Sequence, residues 1–106
     1  MIIKKKIKIR NPQGLHARPA SLFVRIANRF EADLQVKKGR ESVNGKSIMG
    51  ILMLAASQGS VVQLEASGVD AESMMRELEN FLLLEDESQY PGAGKEDPRP
   101  GSERSL

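Results

Sequence analysis

The chain contains no cysteine, no tryptophan and a single histidine, and only 4% of its residues are aromatic. The lack of cysteine excludes disulfide frameworks, thiolate metal sites and thiol nucleophiles. A single histidine excludes metal sites built from several histidines. No apolar run approaches the ~20 residues that a membrane-spanning helix needs. The segment MIIKKKIKIR interleaves lysine with isoleucine and lacks the continuous apolar region of a signal peptide. We therefore expect a cytoplasmic protein that is not embedded in a membrane.

Charge is unevenly distributed over the 106 residues, which carry a net charge of +2 at pH 7. From Asp86 onward there are five acidic and three basic residues, so the first 85 residues carry +4. A mildly basic body suggests an acidic partner or an anionic ligand. The excess is too small to indicate nucleic-acid binding by itself.

The composition changes near residue 87. Residues 88–106, SQYPGAGKEDPRPGSERSL, are rich in proline, glycine, serine and charge and have almost nothing to bury. Such a composition is typical of disordered segments. We predict one folded domain over residues 1–87 and a disordered C-terminal tail over residues 88–106.

Four segments alternate apolar and polar residues with period two, which is typical of strands that bury one face. The third, residues 40–43, is the weakest. The apolar positions of the other three are Ile3, Ile7 and Ile9; Ala32, Leu34 and Val36; and Val62, Leu64 and Ala66. The intervening positions are mostly polar, so the sheet should be covered on one side only.

Three further segments have helical spacing. The first, residues 17–29, has its apolar face at Ala20, Phe23, Val24, Ala27 and Phe30. The second should begin at Ser47 and end before Gly59, and the third should begin at the N-cap Asp70. The apolar face of the third helix is Ala71, Met74, Met75, Leu78, Phe81 and Leu82. The order β-α-β-β-α-β-α predicts an α+β fold, a four-stranded, mostly antiparallel sheet with three helices on one face.

The histidine lies in NPQGLHARPASLFVRIANRF, residues 11–30, where a loop turns into the first helix. Pro19 fits only the first turn of a helix, which makes His16 the N-cap and Ala17 the first helical residue. A helix N-terminus favours a bound anion, and Arg18 can add a charge-assisted contact. Because proline has no N–H, the main backbone donors are those of Ala17 and Arg18. Position alone favours an ordinary surface histidine; if His16 is functional, the chemistry left to it is that of a nucleophile.

The segment NGKSIMGILMLAASQG places Ser47 as the N-cap of a short helix, with Lys46 beside it. A serine cap needs no regulatory role. Apolar residues surround this helix, so it must be buried all round or expose an apolar patch. Since the domain is small, we predict an exposed patch whose methionines adapt to several partners.

Two stretches carry a resemblance to a known family. GLHARPAS closely resembles the active-site signature of HPr, the histidine-containing phosphocarrier of the bacterial phosphoenolpyruvate:sugar phosphotransferase system. The stretch VNGKSIMGILMLAASQGSVVQLEASGVDAES resembles the second signature of that family together with the segment after it. The resemblance covers residues 1 to about 85. It implies an open-faced β-sandwich and a stoichiometric phosphoryl carrier, not an enzyme, that needs no cofactor and works as a monomer.

The resemblance also implies roles for individual residues. His16 matches the histidine that takes a phosphoryl group on Nδ1 from Enzyme I and gives it to IIA domains. Arg18 matches the arginine that pairs with this group, and the N–H of Ala17 is our added backbone donor. Ser47 matches a regulatory serine that HPr kinase/phosphorylase modifies in organisms that have this enzyme. The predicted partner-binding residues are Ile48, Met49, Leu52, Met53, Lys46 and Pro19.

Three alternatives stay open. The helix SIMGILMLAA is similar to that of nitrogen-regulatory paralogues of HPr, so the acceptor could be a regulatory IIA domain. Purely regulatory paralogues lack the histidine that this chain retains. Outside the family, an RNA-binding module would need exposed aromatic residues on its strands, which this sequence does not offer. A plain protein-interaction domain would use the apolar patch and leave His16 idle.

Overall fold

The computed structural model describes residues 1–86 and 89–90. The strands are β1 (Ile2–Lys8), β2 (Asp33–Lys38), β3 (Glu41–Asn44) and β4 (Val61–Ser67). The helices are α1 (Ala17–Ala27), α2 (Ile48–Leu54) and α3 (Ala71–Leu82). The predicted element order is confirmed. Within this part of the chain, no helix is both long and apolar enough to cross a membrane.

The four strands form one antiparallel sheet in the order β1-β4-β2-β3. Its register aligns Ile7 with Val62 and Val36 with Leu64, so the apolar positions of neighbouring strands share one face. On the open face, Lys37 Nζ lies 2.8 Å from Glu65 Oε2. This hydrogen bond lowers the pKa of the Glu65 carboxyl. The period-two pattern therefore predicted both the strands and their buried side correctly.

All three helices cover the apolar face of the sheet, and α1 packs against both α2 and α3. The largest fully buried side chains are Phe23, Ile9, Leu15, Leu34, Ile51, Leu54, Leu64, Met74, Leu78, Leu82, Val36 and Val62. The predicted apolar face of α3 is buried in full. The face of α1 is rotated from the prediction, because Leu22 and Ile26 are buried while Val24 and Phe30 are only partly buried.

Helix α1 ends at Ala27, two residues before the predicted end. The side-chain Nδ2 of Asn28 donates to the carbonyl of Val24 at 2.9 Å and to that of Lys46 at 3.1 Å. These bonds close the last turn of the helix and tie it to the segment that precedes α2.

Helix α2 ends at Leu54, not shortly before Gly59 as predicted. Ala55 adopts the left-handed conformation, with φ 53°, that usually falls to glycine at a helix end. Lys38 Nζ donates to the carbonyl of Ala55 at 3.2 Å, which satisfies a group that the helix end leaves open. Gly59, with φ +87°, lies in the turn that follows.

Asp70 is the N-cap of α3, as predicted, but its carboxylate does not cap the helix. The carboxylate instead accepts hydrogen bonds from the backbone N–H groups of Glu31 at 2.9 Å and Ala32 at 2.8 Å. These bonds lower the pKa of the Asp70 carboxyl. The residue thus fixes the entry to β2 against the start of α3.

Tyr90 packs on the domain although it lies within the predicted tail. Its ring meets Phe81 edge to face, with 5.5 Å between the ring centroids. Its hydroxyl donates to Glu77 Oε1 at 2.9 Å and accepts from Arg29 Nη2 at 2.8 Å. Burial and the bond to Glu77 raise the pKa of the phenol. Tyr90 is thus partly buried against the core, and the predicted tail from residue 91 onward lies outside the described residues.

Candidate functional site

The loop before α1 is a tight turn held by Asn11. The side-chain Oδ1 of Asn11 accepts from the N–H of Gln13 at 2.9 Å, and its backbone carbonyl accepts from the N–H of Gly14 at 2.9 Å. Pro12 stands at the second position of this turn, where its fixed φ is favourable. The sequence NPQG therefore folds locally into a reversal that leads the chain from β1 towards α1.

The turn packs against Ala56 and Ser57, which follow α2. Gly14 has φ +64°, and a Cβ on it would lie 2.5 Å from the carbonyl oxygen of Ala56. Leu15 N–H donates to that same oxygen at 2.8 Å, and the Leu15 side chain is buried. Only a residue without a side chain fits at position 14. The loop is consequently held against the helix that carries the predicted docking patch.

His16 is the N-cap of α1, as the position of Pro19 predicted. Its backbone is extended, with φ −126° and ψ 161°, and its carbonyl accepts from the N–H of Ala20 at 3.4 Å. The side chain is exposed and makes no capping hydrogen bond. The imidazole is therefore available to react with a group that a partner brings.

Ala17 begins the helix with φ 50°, which the sequence did not predict. A left-handed residue other than glycine costs ~1–3 kcal/mol, and such residues cluster at functional sites. The strained residue lies between His16 and Arg18, the two residues whose side chains are predicted to contact a phosphoryl group. Whether the Ala17 N–H faces that group stays a prediction.

Arg18 is exposed, as a phosphoryl contact requires, whereas Pro19 is buried. That Pro19 contacts a partner stays a prediction. Proline occupies the third position of the helix, where its missing N–H leaves no bond unmade. The buried ring packs under the first turn and fixes where α1 begins.

Ser47 is the N-cap of α2, and its Oγ accepts from the N–H of Gly50 at 3.1 Å. Its neighbour Lys46 is half-buried, and Lys46 Nζ donates to the carbonyl of Phe30 at 2.7 Å. The ammonium group is thus tied to the end of α1. A direct role of Lys46 in partner binding stays a prediction.

Helix α2 has two dissimilar sides. Ile51 and Leu54 are buried in the core. The exposed fractions of the other apolar side chains are 39% for Ile48, 65% for Met49, 39% for Leu52 and 72% for Met53. We call these four residues the α2 patch. An apolar surface of this kind on a small domain marks an interaction site.

No group of three or more His, Cys, Asp or Glu residues suited to hold a metal ion occurs within residues 1–86 and 89–90. The chemistry that the described site offers comes from one imidazole and one guanidinium at the start of a helix. The family model for the phosphorylation site of the HPr component of the phosphotransferase system matches residues 3–83. The chain belongs to the HPr family.

HPr and HPr-like proteins are similar to this chain over most of their length. The phosphocarrier protein HPr of Neisseria meningitidis serogroup A is 43% identical over 81 residues, which cover 76% of this chain and 91% of that protein. The HPr-like protein Crh of Bacillus subtilis is 42% identical over 84 residues, which cover 79% of this chain and 99% of that protein.

Solved HPr structures have the same fold. The crystal structure of a phosphocarrier protein HPr from Bacillus anthracis matches with a TM-score of 0.75 and 42% identity, over 76% of this chain and 96% of that one. An HPr dimer from Thermoanaerobacter tengcongensis matches with a TM-score of 0.60 and 49% identity, over 71% of this chain and 86% of that one. The open-faced arrangement of four strands and three helices expected from the signatures is thereby confirmed.

Two features of the site escaped sequence reasoning: the buried side chain of Asn11 and the positive φ of Ala17. The first had a signal, because asparagine before proline and glycine is typical of a turn. The positive φ of Ala17 had none, since alanine disfavours that conformation.

Proposed function

We propose that this protein is a phosphocarrier in which His16 Nδ1 accepts a phosphoryl group from a phosphohistidine of Enzyme I and passes it to IIA domains. The observation that carries the proposal is the placement of the only histidine. It is exposed, it makes no side-chain capping bond at the start of α1, and it lies inside the family match.

The transfer exchanges one N–P bond for another. The lone pair of His16 Nδ1 attacks phosphorus, and the electron pair of the broken bond returns to the imidazole of Enzyme I. The second transfer repeats this exchange, with His16 as the leaving group and a IIA domain as the acceptor. The exchange needs no cofactor, and the protein leaves each cycle unchanged, as a stoichiometric carrier does.

The surroundings of His16 favour the phosphorylated state without making it permanent. The N-terminus of α1 presents a partial positive charge to an anion, and the guanidinium of Arg18 can form charge-assisted hydrogen bonds with phosphoryl oxygens. Pro19 removes one backbone donor from the first turn. A partial grip of this kind suits a group that must be received and then released.

The α2 patch supports docking of Enzyme I and of IIA domains on the same surface. It is apolar and exposed, and α2 leads directly to the Ala56 carbonyl on which the His16 loop rests. Two methionines give the surface the adaptability that several partners require. Partners that cover this patch would bring their reactive groups to the same end of the molecule as His16.

Phosphorylation of Ser47 by an HPr kinase/phosphorylase would regulate this docking. A phosphate at the N-cap would put roughly two negative charges beside the patch while remaining compatible with the start of a helix. We therefore expect the fold to persist and the affinity for Enzyme I to fall. A Ser47→Asp variant that accepts phosphate from Enzyme I as fast as the wild type would contradict this regulation.

The decisive experiment is incubation with phosphoenolpyruvate and Enzyme I, followed by intact mass spectrometry and treatment with acid. We expect the mass of one phosphoryl group, stable in base and lost in acid as from phosphohistidine. His16→Ala should abolish the label and keep the fold, whereas Ser47→Ala should keep the label. A label that survives acid or persists in His16→Ala would refute the assignment.

A panel of purified IIA domains then separates the two branches of the family. Transfer to a sugar-specific IIA domain supports a role in sugar uptake, and transfer only to a regulatory IIA domain supports the nitrogen-regulatory type. The RNA-binding alternative has no support in the described strands, whose exposed face carries no aromatic side chain.

We further propose a monomer in the cytoplasm, where phosphoenolpyruvate is made. The edge strand β1 carries Lys4, Lys5, Lys6 and Lys8, and lysines on an edge strand oppose pairing with a second sheet. Because a related HPr was crystallised as a dimer, the test is light scattering over a range of concentrations. A dimer that persists on dilution would overturn the proposal.

A further inference from the structure

A buried polar side chain lies at the base of the loop that carries His16. Asn11 is only 7% exposed and is the one buried polar or charged residue in the part of the chain that the structure describes. Asparagine is mostly exposed in proteins, and where it is buried it is hydrogen-bonded. Because Asn11 lies five residues before His16, its hydrogen bonds can influence the position of the imidazole.

The hydrogen bonds of Asn11 determine the shape of the loop. Its Oδ1 takes the N–H of Gln13 at 2.9 Å, and its carbonyl takes the N–H of Gly14 at 2.9 Å. The side-chain bond mimics a backbone turn and holds the chain in one reversal. An apolar side chain of the same size would leave the N–H of Gln13 without this acceptor.

The reversal determines in turn where His16 stands. Gly14, with φ +64°, leaves no room for a Cβ beside the Ala56 carbonyl, and the N–H of Leu15 donates to that carbonyl at 2.8 Å. His16 is the next residue of the chain. A shift of the turn would therefore move the imidazole relative to the α2 patch, which lies on the helix that ends just before Ala56.

We propose that Asn11 is a positioning residue for phosphoryl transfer, which acts through the loop and touches neither the phosphoryl group nor the partner. The inference rests on the proposed phosphocarrier function. Transfer between two imidazoles requires the reacting atoms to approach to ~3–3.5 Å in line, and small misplacements cost rate steeply. Asn11 supplies this alignment before the partner binds.

The test compares three variants in phosphoryl transfer from phosphorylated Enzyme I. Asn11→Leu keeps the branched shape and the number of side-chain heavy atoms and removes the acceptor, Asn11→Asp keeps an acceptor and adds a charge, and Asn11→Ser keeps a weaker acceptor without charge. We expect Asn11→Leu to lower kcat about five- to tenfold, as the loss of one hydrogen bond that aligns the transition state would. KM should stay unchanged, because the α2 patch is intact. At least one of the other two variants should recover most of kcat.

A purely structural role predicts a different set of results. In that case Asn11→Leu would melt at a lower temperature, and its kcat at a temperature where it is fully folded would equal that of the wild type. That result, an equal loss in all three variants, or a rise in KM alone would overturn the inference. The imidazole NMR signals of His16, shifted in Asn11→Leu and restored in the recovering variant, give a second readout. Failure of the phosphocarrier function itself would appear separately, as a label that His16→Ala retains.

Discussion

Replacement of Gly14 by alanine tests whether the His16 loop is seated on α2 as the structure shows. The added Cβ would lie 2.5 Å from the Ala56 carbonyl oxygen and 2.8 Å from the Cα of Ser57. Both atoms belong to the backbone and cannot rotate away. Either the loop must therefore move away from the residues that follow α2, or those residues must shift.

The loss of folding free energy in Gly14→Ala has two parts, the left-handed conformation of the new alanine and the overlap of its Cβ. A variant at Gly39 isolates the first part. Gly39 has φ +59°, close to the +64° of Gly14, but a Cβ on Gly39 would meet no atom within 4 Å. Gly39→Ala should lower the free energy of unfolding by ~1 kcal/mol, the cost of a left-handed alanine. Gly14→Ala adds the overlap, for which ~1–3 kcal/mol is typical, so we expect a total of ~2–4 kcal/mol.

Thermal and urea unfolding followed by circular dichroism would measure both variants. For a domain of this size, ~1 kcal/mol corresponds to a shift of roughly 4–8 °C in Tm. We therefore expect Tm to fall by roughly 4–8 °C in Gly39→Ala and by roughly 8–32 °C in Gly14→Ala. Equal losses in the two variants would show that the space beside Gly14 is not closed, and the seating of the loop would be refuted.

Three further predictions concern other parts of the molecule. Because the pKa of Tyr90 is raised above its ordinary value of 10.0, its phenol stabilises the fold at pH values below 10.0, and this contribution is lost as the pH rises through the folded pKa. Tyr90→Phe, compared with the wild type by urea unfolding between pH 8 and 11, should lack this loss. Because the pKa of Asp70 is lowered below its ordinary value of 3.8, its carboxylate stabilises the fold at pH values above 3.8, and this contribution is lost as the pH falls through the folded pKa. The acid unfolding of Asp70→Asn should lack this pH-dependent loss of stability, and an unfolding profile equal to that of the wild type would contradict the role of Asp70. Met53→Ser should raise KM for Enzyme I roughly five- to tenfold with no change in Tm, because the side chain is 72% exposed. Val69→Ser, at an 88% exposed apolar residue outside the patch, is the control and should leave KM unchanged.

The sheet and the third helix could be predicted from the sequence because their patterns depend on burial alone. Val62, Leu64 and Ala66 alternate with polar residues, and the buried face of the sheet follows from that alternation. The buried face of α3 follows from its 3.6-residue period in the same way. Local periodicity and tertiary burial agree in these elements, so one is a reliable guide to the other.

The ends of the helices could not be predicted, because distant groups determine them. The C-cap of α2 is Ala55, whose carbonyl accepts a hydrogen bond from Lys38, a residue of β2. The side chain of Asn28 closes the last turn of α1 with one hydrogen bond and donates a second to the carbonyl of Lys46. Sequence rules place glycine at helix ends, and they contain no information about a lysine or an asparagine supplied from elsewhere in the fold.

The sequence predicted where His16 lies in the fold, and it did not predict how the loop that carries His16 is held. Pro19 located the start of α1 and therefore His16, as the structure confirms. The burial of Pro19 was not predicted, because it depends on how the first turn of α1 packs on the rest of the fold. The seating of the loop depends on the carbonyl of Ala56, which accepts from the N–H of Leu15 and lies 41 positions further along the chain than Leu15.

The attachment of Tyr90 has a practical consequence for handling the protein. Tyr90 is bonded to Arg29, just past one end of α1, whereas His16 stands at the other end of this 11-residue helix. At 1.5 Å per residue the two ends are ~16 Å apart. A dye, an affinity tag or a surface tether joined to the chain beyond residue 90 would thus begin its path at the far end of the helix. Immobilised through such a tether, the protein should still present its histidine to Enzyme I in solution.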